Sequence, residues 1–275
     1  MTVTFLGVDF SSAPSRAKPI TVAVARHESA HVLRVVELLA LESLEAFDAL
    51  LQRPGPWVGG FDFPFGLPRE LVLTQDWPTD WEALIQCYAD HSRAELRERF
   101  VAFCANRPAG AKFAHRATDR PAGSSPSMKW VNPPVAWMLH AGAPRLLAAG
   151  VDIPGLRRGD PSRVALEAYP GLLARAITRV SYKSDDRAKQ DTGRLQARGE
   201  LVRALASGRH PLDLAVRFKR GLRGTVQTDP RGDWLDAVLC AVQAAWAHAQ
   251  GPHYGFPPAV DPLEGWIVGA GFISG

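Results

Sequence analysis

Thr2-Val-Thr-Phe-Leu-Gly-Val-Asp9, at the start of the chain, is a short apolar run that ends in an acidic residue. The same pattern recurs in Trp57-Val-Gly-Gly-Phe-Asp62 and in Arg163-Val-Ala-Leu-Glu167. Short apolar runs that stop at Ser or Pro are typical of buried strands rather than of helices. We therefore predict three strands that each end in a carboxylate, at the edge of the sheet where α/β proteins bind their ligands.

The acids Asp9, Asp62 and Glu167 have two interpretations. Carboxylates that share one edge of a sheet repel one another, so they seldom gather unless a cation or a proton offsets the charge. One interpretation is therefore a divalent-metal site, and the other is that each acid only ends its strand in water. A further acidic pair near the end of the chain favours the metal site.

This second acidic pair lies in the last predicted helix. The helix should begin near Asp229-Pro230, because Asp is a preferred N-cap and Pro is favoured at the first helical position. Asp233 and Asp236 are three residues apart and so lie on one face of it. The helix dipole accounts for Asp233 in a first turn. It does not account for Asp236, which borders the apolar stripe and would be costly to bury unpaired.

Two further strands and a helix are predicted between the first two acids. The stretches Ile20-Thr-Val-Ala-Val-Ala25 and His31-Val-Leu-Arg-Val-Val36 should form antiparallel neighbours, because the turns between them are short. Leu44 to Leu51 has helical spacing, and a crossover helix makes the next strand parallel to the first. Asp9 and Asp62 would then face each other about 5 Å apart across neighbouring strands.

Residues 69–158 interrupt this alternation and are predicted to form a mostly helical insertion, within a single domain of residues 1–275. Its stretch 106–134 is rich in Pro, Gly and Ser, and a loop of that length in a compact domain is usually functional or disordered. Lys112, His115 and Arg116 are its candidate contacts to a base or a phosphate. A lone histidine is more often structural, so that alternative stays open for His115.

Basic residues elsewhere are candidate contacts to a phosphate backbone. Lys183 follows the strand that ends in Glu167 and its helix, in a segment where acids are interleaved with the basic residues. A solvated helix face is an equally good interpretation of that segment. A second basic cluster precedes the last helix and contains no acid. Its members are Arg217, Lys219, Arg220 and Arg223.

Composition sets the broad class of the protein. Lys and Arg number 32 against 28 Asp and Glu, a net charge of +4 that is compatible with an anionic partner. No apolar stretch approaches the roughly 18–20 residues of a membrane span, and no signal peptide pattern is evident, so we expect a cytoplasmic protein without a membrane partner. Three widely spaced cysteines argue against a disulfide framework.

Six motifs carry a resemblance to a known family: Gly7-Val-Asp-Phe10, Gly60-Phe-Asp-Phe-Pro-Phe-Gly-Leu-Pro68, Glu167-Ala-Tyr-Pro170, Ser181-Tyr-Lys183, Asp233-Trp-Leu-Asp-Ala237 and Glu264-Gly-Trp-Ile267. Together they resemble a bacterial and archaeal family of unknown function whose members are predicted to be ribonuclease H-like nucleases. The resemblance spans nearly the whole chain apart from the insertion. The closing Asp-x-x-Asp-Ala also resembles the last helix of Holliday-junction resolvases in that superfamily.

This resemblance implies an α/β fold of the ribonuclease H-like type. That fold has a five-stranded mixed sheet of order 3-2-1-4-5, flanked by helices, with the insertion between strands 4 and 5. Asp9 would lie on the middle strand and bridge two metal ions, Asp62 would hold one of them, and Asp233 or Asp236 the other. Such oxygen-only ligands suit Mg²⁺ or Mn²⁺. Glu167 would lie about 10 Å from Asp9, where it binds metal through water, orients a base or is structural.

The implied function is a divalent-metal-dependent nuclease, a phosphodiester hydrolase acting on nucleic acid, with Asp9, Asp62, Glu167, Asp233 and Asp236 as catalytic residues. Two alternatives stay open. One is a non-catalytic module of the same fold that binds nucleic acid, a nucleotide or a protein partner. The other is a hydrolase or transferase of a small phosphorylated molecule, with the insertion as a lid. A deep enclosed pocket rather than an open groove would mark that last alternative.

Overall fold

One mixed sheet organises the fold, in a computed structural model that describes residues 2–105 and 107–273. Its strands in chain order are β1 (Thr4–Asp9), β2 (Ile20–Ser29), β3 (Val32–Leu41), β4 (Trp57–Phe61), β5 (Val151–Asp152), β6 (Asp160–Glu167) and β7 (Ala215–Phe218). They lie side by side in the order β5-β6-β4-β1-β2-β3-β7. The β1-β2 and β2-β3 pairs are antiparallel and the other pairs are parallel, so the sheet is mostly parallel.

This seven-stranded sheet does not match the predicted five-stranded sheet of order 3-2-1-4-5. The difference arises at both edges, where β5 pairs outside β6 and β7 pairs outside β3. β5 has 2 residues and β7 has 4, which is too short for an alternation of apolar residues to reveal a strand. The strand that ends in Glu167 is β6, and it runs parallel to β4.

Ten α-helices accompany the sheet in the described ranges. They are α1 (Leu44–Leu51), α2 (Arg69–Thr74), α3 (Trp81–Asp90), α4 (Arg93–Ala105), α5 (Asp119–Ala122), α6 (Val135–Ala149), α7 (Pro170–Ile177), α8 (Thr192–Ser207), α9 (Leu222–Thr228) and α10 (Asp233–Ala249). Helices α2 to α6 fall within the predicted insertion 69–158, which also contains β5. In the part of the chain that the structure describes, every helix is too short or too polar to span a membrane.

Two apolar clusters cover the two faces of the sheet. Leu6 and Val8 of β1 belong to one cluster and Phe5 to the other, as expected when side chains alternate along a strand. The first cluster also contains Trp81 and Phe100 of the insertion, so the insertion shares a core with the sheet. Helices α7, α8 and α10 pack in the second cluster.

Two strand glycines allow α10 to lie directly against the sheet. A Cβ added at Gly7 would come within 1.9 Å of the carbonyl oxygen of Ala237, and one at Gly60 within 2.5 Å of that of Cys240. Backbones can approach this closely only where no side chain intervenes. Since Gly7 lies just before Asp9 and Ala237 follows Asp236, the contact brings these two acids together.

Replacing Gly7 by Ala is expected to lower the free energy of unfolding by about 3 kcal/mol or more, because the clash is with backbone that no side-chain rotation can relieve. Gly224→Ala in α9 is the matched control, since an added Cβ there meets no heavy atom within 4 Å. The control should be neutral or stabilising by about 0.5–1 kcal/mol. Urea unfolding followed by circular dichroism measures both variants. Equal stability would show that α10 does not depend on this approach.

The last helix begins later than predicted, at Asp233, after Gly232 with φ 75°. The predicted start at Asp229-Pro230 is wrong because α9 runs to Thr228 and Asp229 is its C-cap residue. Asp229 nevertheless serves α10, because its carboxylate accepts the N–H of Trp234 at 3.2 Å.

Candidate active site at the ends of strands β1 and β4

Four aspartates meet where β1 and β4 end and α10 begins, and we call them the aspartate cluster. Asp9 is the last residue of β1, and Asp62 follows β4, where its N–H donates to the carbonyl of Val8 at 2.9 Å. Asp233 and Asp236 lie in the first turn of α10. Asp236 is fully buried, whereas the other three are partly exposed. The structure therefore brings together four of the five predicted catalytic carboxylates.

Three members of the cluster have no protein hydrogen bond to their carboxylates. Across residues 2–105 and 107–273, no donor reaches the side chains of Asp9, Asp62 or Asp233. The nearest cation to Asp233 is Arg231, at 3.9 Å. Asp236 differs, because it accepts hydrogen bonds from the hydroxyl of Tyr182 at 2.5 Å and from the ammonium of Lys183.

Lys183 brings a positive charge to the cluster while it remains open to solvent. Its side chain is 43% exposed although it pairs with the buried Asp236. The segment that carries it is anchored by Arg198, which donates to the carbonyl of Tyr182 at 2.7 Å and to that of Gln227 at 2.9 Å. The position of Lys183 is therefore fixed by the fold and not by the ion pair alone.

Burial and mutual repulsion raise the pKa values of the cluster. Burial, and then repulsion from Asp236, raises the pKa of Asp9 well above its usual range, while Lys183 opposes the shift. Burial is also the main cause that raises the pKa of Asp62 to about 7 and that of Asp233 to about 6. The protein alone thus holds protons that ordinary aspartates lose near pH 4. A bound cation would offset the same charges.

The raised pKa of Asp62 predicts that the metal-free protein loses stability as pH rises. Unfolded Asp62 ionises near pH 4, whereas the folded side chain keeps its proton up to about pH 7. Between these values the native state binds more protons than the unfolded state, so the free energy of unfolding falls with increasing pH. Asp62→Asn removes this titration and should gain stability relative to wild type between about pH 4 and about pH 8.

Urea unfolding of both proteins in chelator, at the two ends of this pH range, measures the effect. Histidine titrations elsewhere in the chain are common to both proteins and cancel in the difference. A difference between the two free energies that stays constant with pH would contradict the raised pKa of Asp62.

The donor set of the aspartate cluster fits a hard divalent cation. It offers only carboxylate oxygens, which Mg²⁺ and Mn²⁺ prefer, and most of them lack a hydrogen-bond partner in residues 2–105 and 107–273. Within the described ranges, no three Asp, Glu, His or Cys side chains are arranged to share a metal ion. Lys183 pairs with Asp236, and like charges favour separated side chains when no cation is present. The aspartate cluster therefore fits a divalent cation by its charge and by the type of its ligand atoms.

Comparison with known proteins places the chain in a family. The family model described as "Protein of unknown function (DUF429)" matches residues 7–261, which include the whole aspartate cluster. The chain belongs to the DUF429 family. A search of curated proteins gave no match, and neither did a search of solved structures.

Glu167 of this DUF429 chain is committed to a buried ion pair. Its two carboxylate oxygens accept hydrogen bonds from Arg116 at 2.7 and 2.8 Å, and one of them also accepts the N–H of Phe65 at 2.9 Å. Burial raises the pKa of Glu167, and Arg116 opposes that shift. Of the three roles predicted for Glu167, these contacts favour the structural one.

Arg116, predicted as a substrate contact, is 2% exposed and fully engaged. Besides Glu167 it binds the carboxylate of Asp119 through Nε and Nη2, and the carbonyl of Glu264 through Nη1. A guanidinium has five N–H donors, and these contacts use all of them. No donor of Arg116 is left for a substrate, so its contribution is to hold the insertion against β6.

The other predicted substrate contacts are dispersed. Lys112 and His115 are exposed in the insertion. The basic cluster of Arg217, Lys219, Arg220 and Arg223 begins within β7 and continues after it, and β7 is three strands from β1 and hence about 14 Å away across the sheet. β7 also pairs with the start of β3, whereas Asp9 is level with its end. Lys183 is the member of this set that reaches the aspartate cluster.

Two important side chains were missed at the sequence level. Tyr182 binds Asp236, and Asp119 completes the environment of Arg116. The motif Ser181-Tyr-Lys183 contained a signal for Tyr182, since a tyrosine next to a lysine can donate a hydrogen bond to the acid that the lysine binds, here Asp236. Asp119 lies at i+3 from Arg116, but nothing in the loop sequence indicates burial.

Proposed function

We propose that this DUF429 chain is a divalent-metal-dependent phosphodiester hydrolase that acts on nucleic acid. The observation that carries the proposal is the aspartate cluster, in which three carboxylates that accept no hydrogen bond from any described residue lie near a buried fourth. Buried or half-buried acids with a purely structural role are normally hydrogen-bonded, as Glu167 is. Clustered acids with raised pKa values are instead typical of functional sites.

A ribonuclease H-like relationship is part of this proposal. Its support is the placement of acids at the ends of the neighbouring parallel strands β1 and β4, together with the acidic first turn of α10. The seven-stranded sheet departs from the five-stranded one, so the placement of these acids supports the relationship and the strand count does not. One fold hosts many functions, so the residues of the site support the activity more than the fold does.

Each residue of the site has a role in this proposal. A divalent cation held by Asp9, Asp62 and Asp233 would supply Lewis-acid polarisation and charge neutralisation at a phosphodiester. Tyr182 and Lys183 orient Asp236 beside these ligands. The exposed ammonium of Lys183 has three donors, so it can bind a phosphate oxygen in addition to Asp236.

The test uses the purified full chain and labelled oligonucleotides of DNA and RNA, single-stranded and double-stranded. Cleavage is expected with Mg²⁺ or Mn²⁺ and should disappear in chelator. Calorimetry should detect Mn²⁺ binding to wild type and much weaker binding to Asp62→Asn. The proposal would be overturned if the protein cleaved none of these substrates and did not bind Mn²⁺.

A non-catalytic nucleic-acid-binding module is the second candidate. It is favoured by Lys183, which already supplies a cation to Asp236, and by the lack of three preplaced metal ligands among the described residues. Purified protein that retains nucleic acid, shows no Mn²⁺ heat and cleaves nothing would establish this function instead.

A further inference from the structure

Two cavities adjoin at the aspartate cluster and share Asp62 and Tyr169 in their walls. One lies between the insertion and the core, with a volume of about 70 Å³; we call it the apolar cavity. The other lies along α7 and the segment after it, with a volume of about 270 Å³; we call it the basic cavity.

The apolar cavity is suited to a mostly apolar group. Its walls include Phe63 from the core and Val135 and Met138 from α6 of the insertion. Arg116 and Glu167 also line it, but they are saturated by each other and by their neighbours. Ser125 lines it too, and no hydrogen bond engages its hydroxyl in residues 2–105 or 107–273. A ligand would therefore meet apolar walls and a hydroxyl that can serve a ring heteroatom.

The basic cavity is suited to a phosphate. Arg175, Arg179 and Lys183 line it. Arg175 is held in place, because it donates to the hydroxyl of Tyr169 at 3.1 Å and to the carbonyl of Ala122 at 2.7 Å. Arg179 is exposed and has no protein partner within the described part of the chain, so its guanidinium is available for an anion.

We infer that the aspartate cluster acts on an unpaired nucleotide, whose base enters the apolar cavity while its phosphate faces the basic cavity. This inference rests on the proposed function and narrows its substrate class. The two cavities have complementary character on either side of Asp62, as the base and the phosphate do within one nucleotide. A base in a duplex is stacked and paired, so it cannot enter a cavity unless it first leaves the helix. The ring of Tyr169 lines both cavities, and the guanidinium of Arg175 lies over it at 5.1 Å from the centroid, so at most one face of the ring is open to a base.

Calorimetry with nucleoside 5′-monophosphates, ribose 5-phosphate and inorganic phosphate, in excess Mg²⁺, tests the inference on the full chain. The monophosphates are expected to bind about tenfold or more tightly than ribose 5-phosphate, because stacking of a base contributes about 1–3 kcal/mol. Met138→Trp fills the apolar cavity and should remove this difference without changing the affinity for ribose 5-phosphate. Leu73→Trp, on the exposed side of α2, is the matched control and should bind like wild type.

Ser125→Leu is a second filling variant, on a half-buried loop residue, and it decides the matter if Met138→Trp does not fold. Equal affinity for ribose 5-phosphate and the monophosphates, or filled variants that still prefer the monophosphates, would overturn the inference. Monophosphates contain no phosphodiester, so this readout is independent of hydrolysis. Base-dependent binding without oligonucleotide cleavage would support the cavity and overturn the hydrolase. Equal cleavage of duplexes and single strands, unaffected by Met138→Trp, would support the hydrolase and overturn the inference.

Discussion

Cleavage by the Asp9→Asn protein is expected to be slower than by wild type by roughly 10³-fold or more. When residues act as one catalytic unit, the loss of one of them costs about as much activity as the loss of all. Asp9 is the member of the cluster on which the other three aspartates all act, and each of them raises its pKa. It ends β1 beside Asp62, the acid that follows the neighbouring strand β4. Loss of its charge should also abolish Mn²⁺ binding in calorimetry.

The same substitution should not destabilise the fold. Asn cannot take part in the repulsion that raises the pKa of Asp9, so the metal-free variant is expected to be at least as stable as wild type near pH 8. Asp90→Asn, an exposed position at the end of α3, removes one negative charge from another element and serves as control. It should leave cleavage and Mn²⁺ binding unchanged.

Measuring stability beside cleavage and Mn²⁺ binding separates an effect on catalysis from an effect on folding. An Asp9→Asn protein that is folded and binds Mn²⁺ like wild type would contradict the assignment of Asp9 as a ligand. Unchanged cleavage would remove the aspartate cluster from the reaction altogether.

The acids of the site could be predicted because the signal for each is local. Asp9 and Asp62 each close an apolar run, and a strand of that kind ends at the sheet edge wherever it lies in the order. Asp236 stood out because its apolar neighbours on the helix made an unpaired carboxylate costly. Their convergence also required Gly7 and Gly60, whose role appears only when α10 is seen against the sheet.

The rest could not be predicted because its signals are non-local or too short. Arg116 and Glu167 are 51 residues apart, and no periodicity links a loop arginine to a strand-end acid. β7 pairs with β3 over only 4 residues and could not be recognised as a strand, so the basic residues in it and after it were assigned to the site although the sheet places them at its far edge. Asp229-Pro230 had the composition of a helix start, but tertiary packing extended α9 up to that point.

The strand-end acids therefore divide by the partner that offsets their charge. Glu167 has an arginine that matches both of its oxygens, and this arrangement satisfies a buried carboxylate without any ligand. Among the residues that the structure describes, Asp9 and Asp62 have no such donor, and Lys183 forms its side-chain hydrogen bond with Asp236. A site that exchanges cations or substrate needs carboxylates without a protein donor, because a carboxylate that is already hydrogen-bonded gains little free energy from binding a ligand.

Removing Arg116 from its ion pair with Glu167 is expected to have a large effect on stability. Arg116→Met should lower the free energy of unfolding by about 3–5 kcal/mol, the usual cost of removing one partner from a buried ion pair. The substitution would leave Glu167 and Asp119 buried without their cation. Urea unfolding near pH 7 measures the loss. Arg120→Met, on an exposed residue of the same short helix α5, is the control and should stay close to wild type.

A second measurement shows that the lost stability comes from the uncompensated acids. Adding Glu167→Gln to Arg116→Met removes one of these charges, so the double variant is expected to be more stable than Arg116→Met alone, although Glu167→Gln by itself should be destabilising. This sign reversal is specific to a charge pair, since two unrelated losses would add. If Arg116→Met were as stable as wild type but bound oligonucleotides more weakly, Arg116 would be a substrate contact, and Glu167 would again be a candidate catalytic residue.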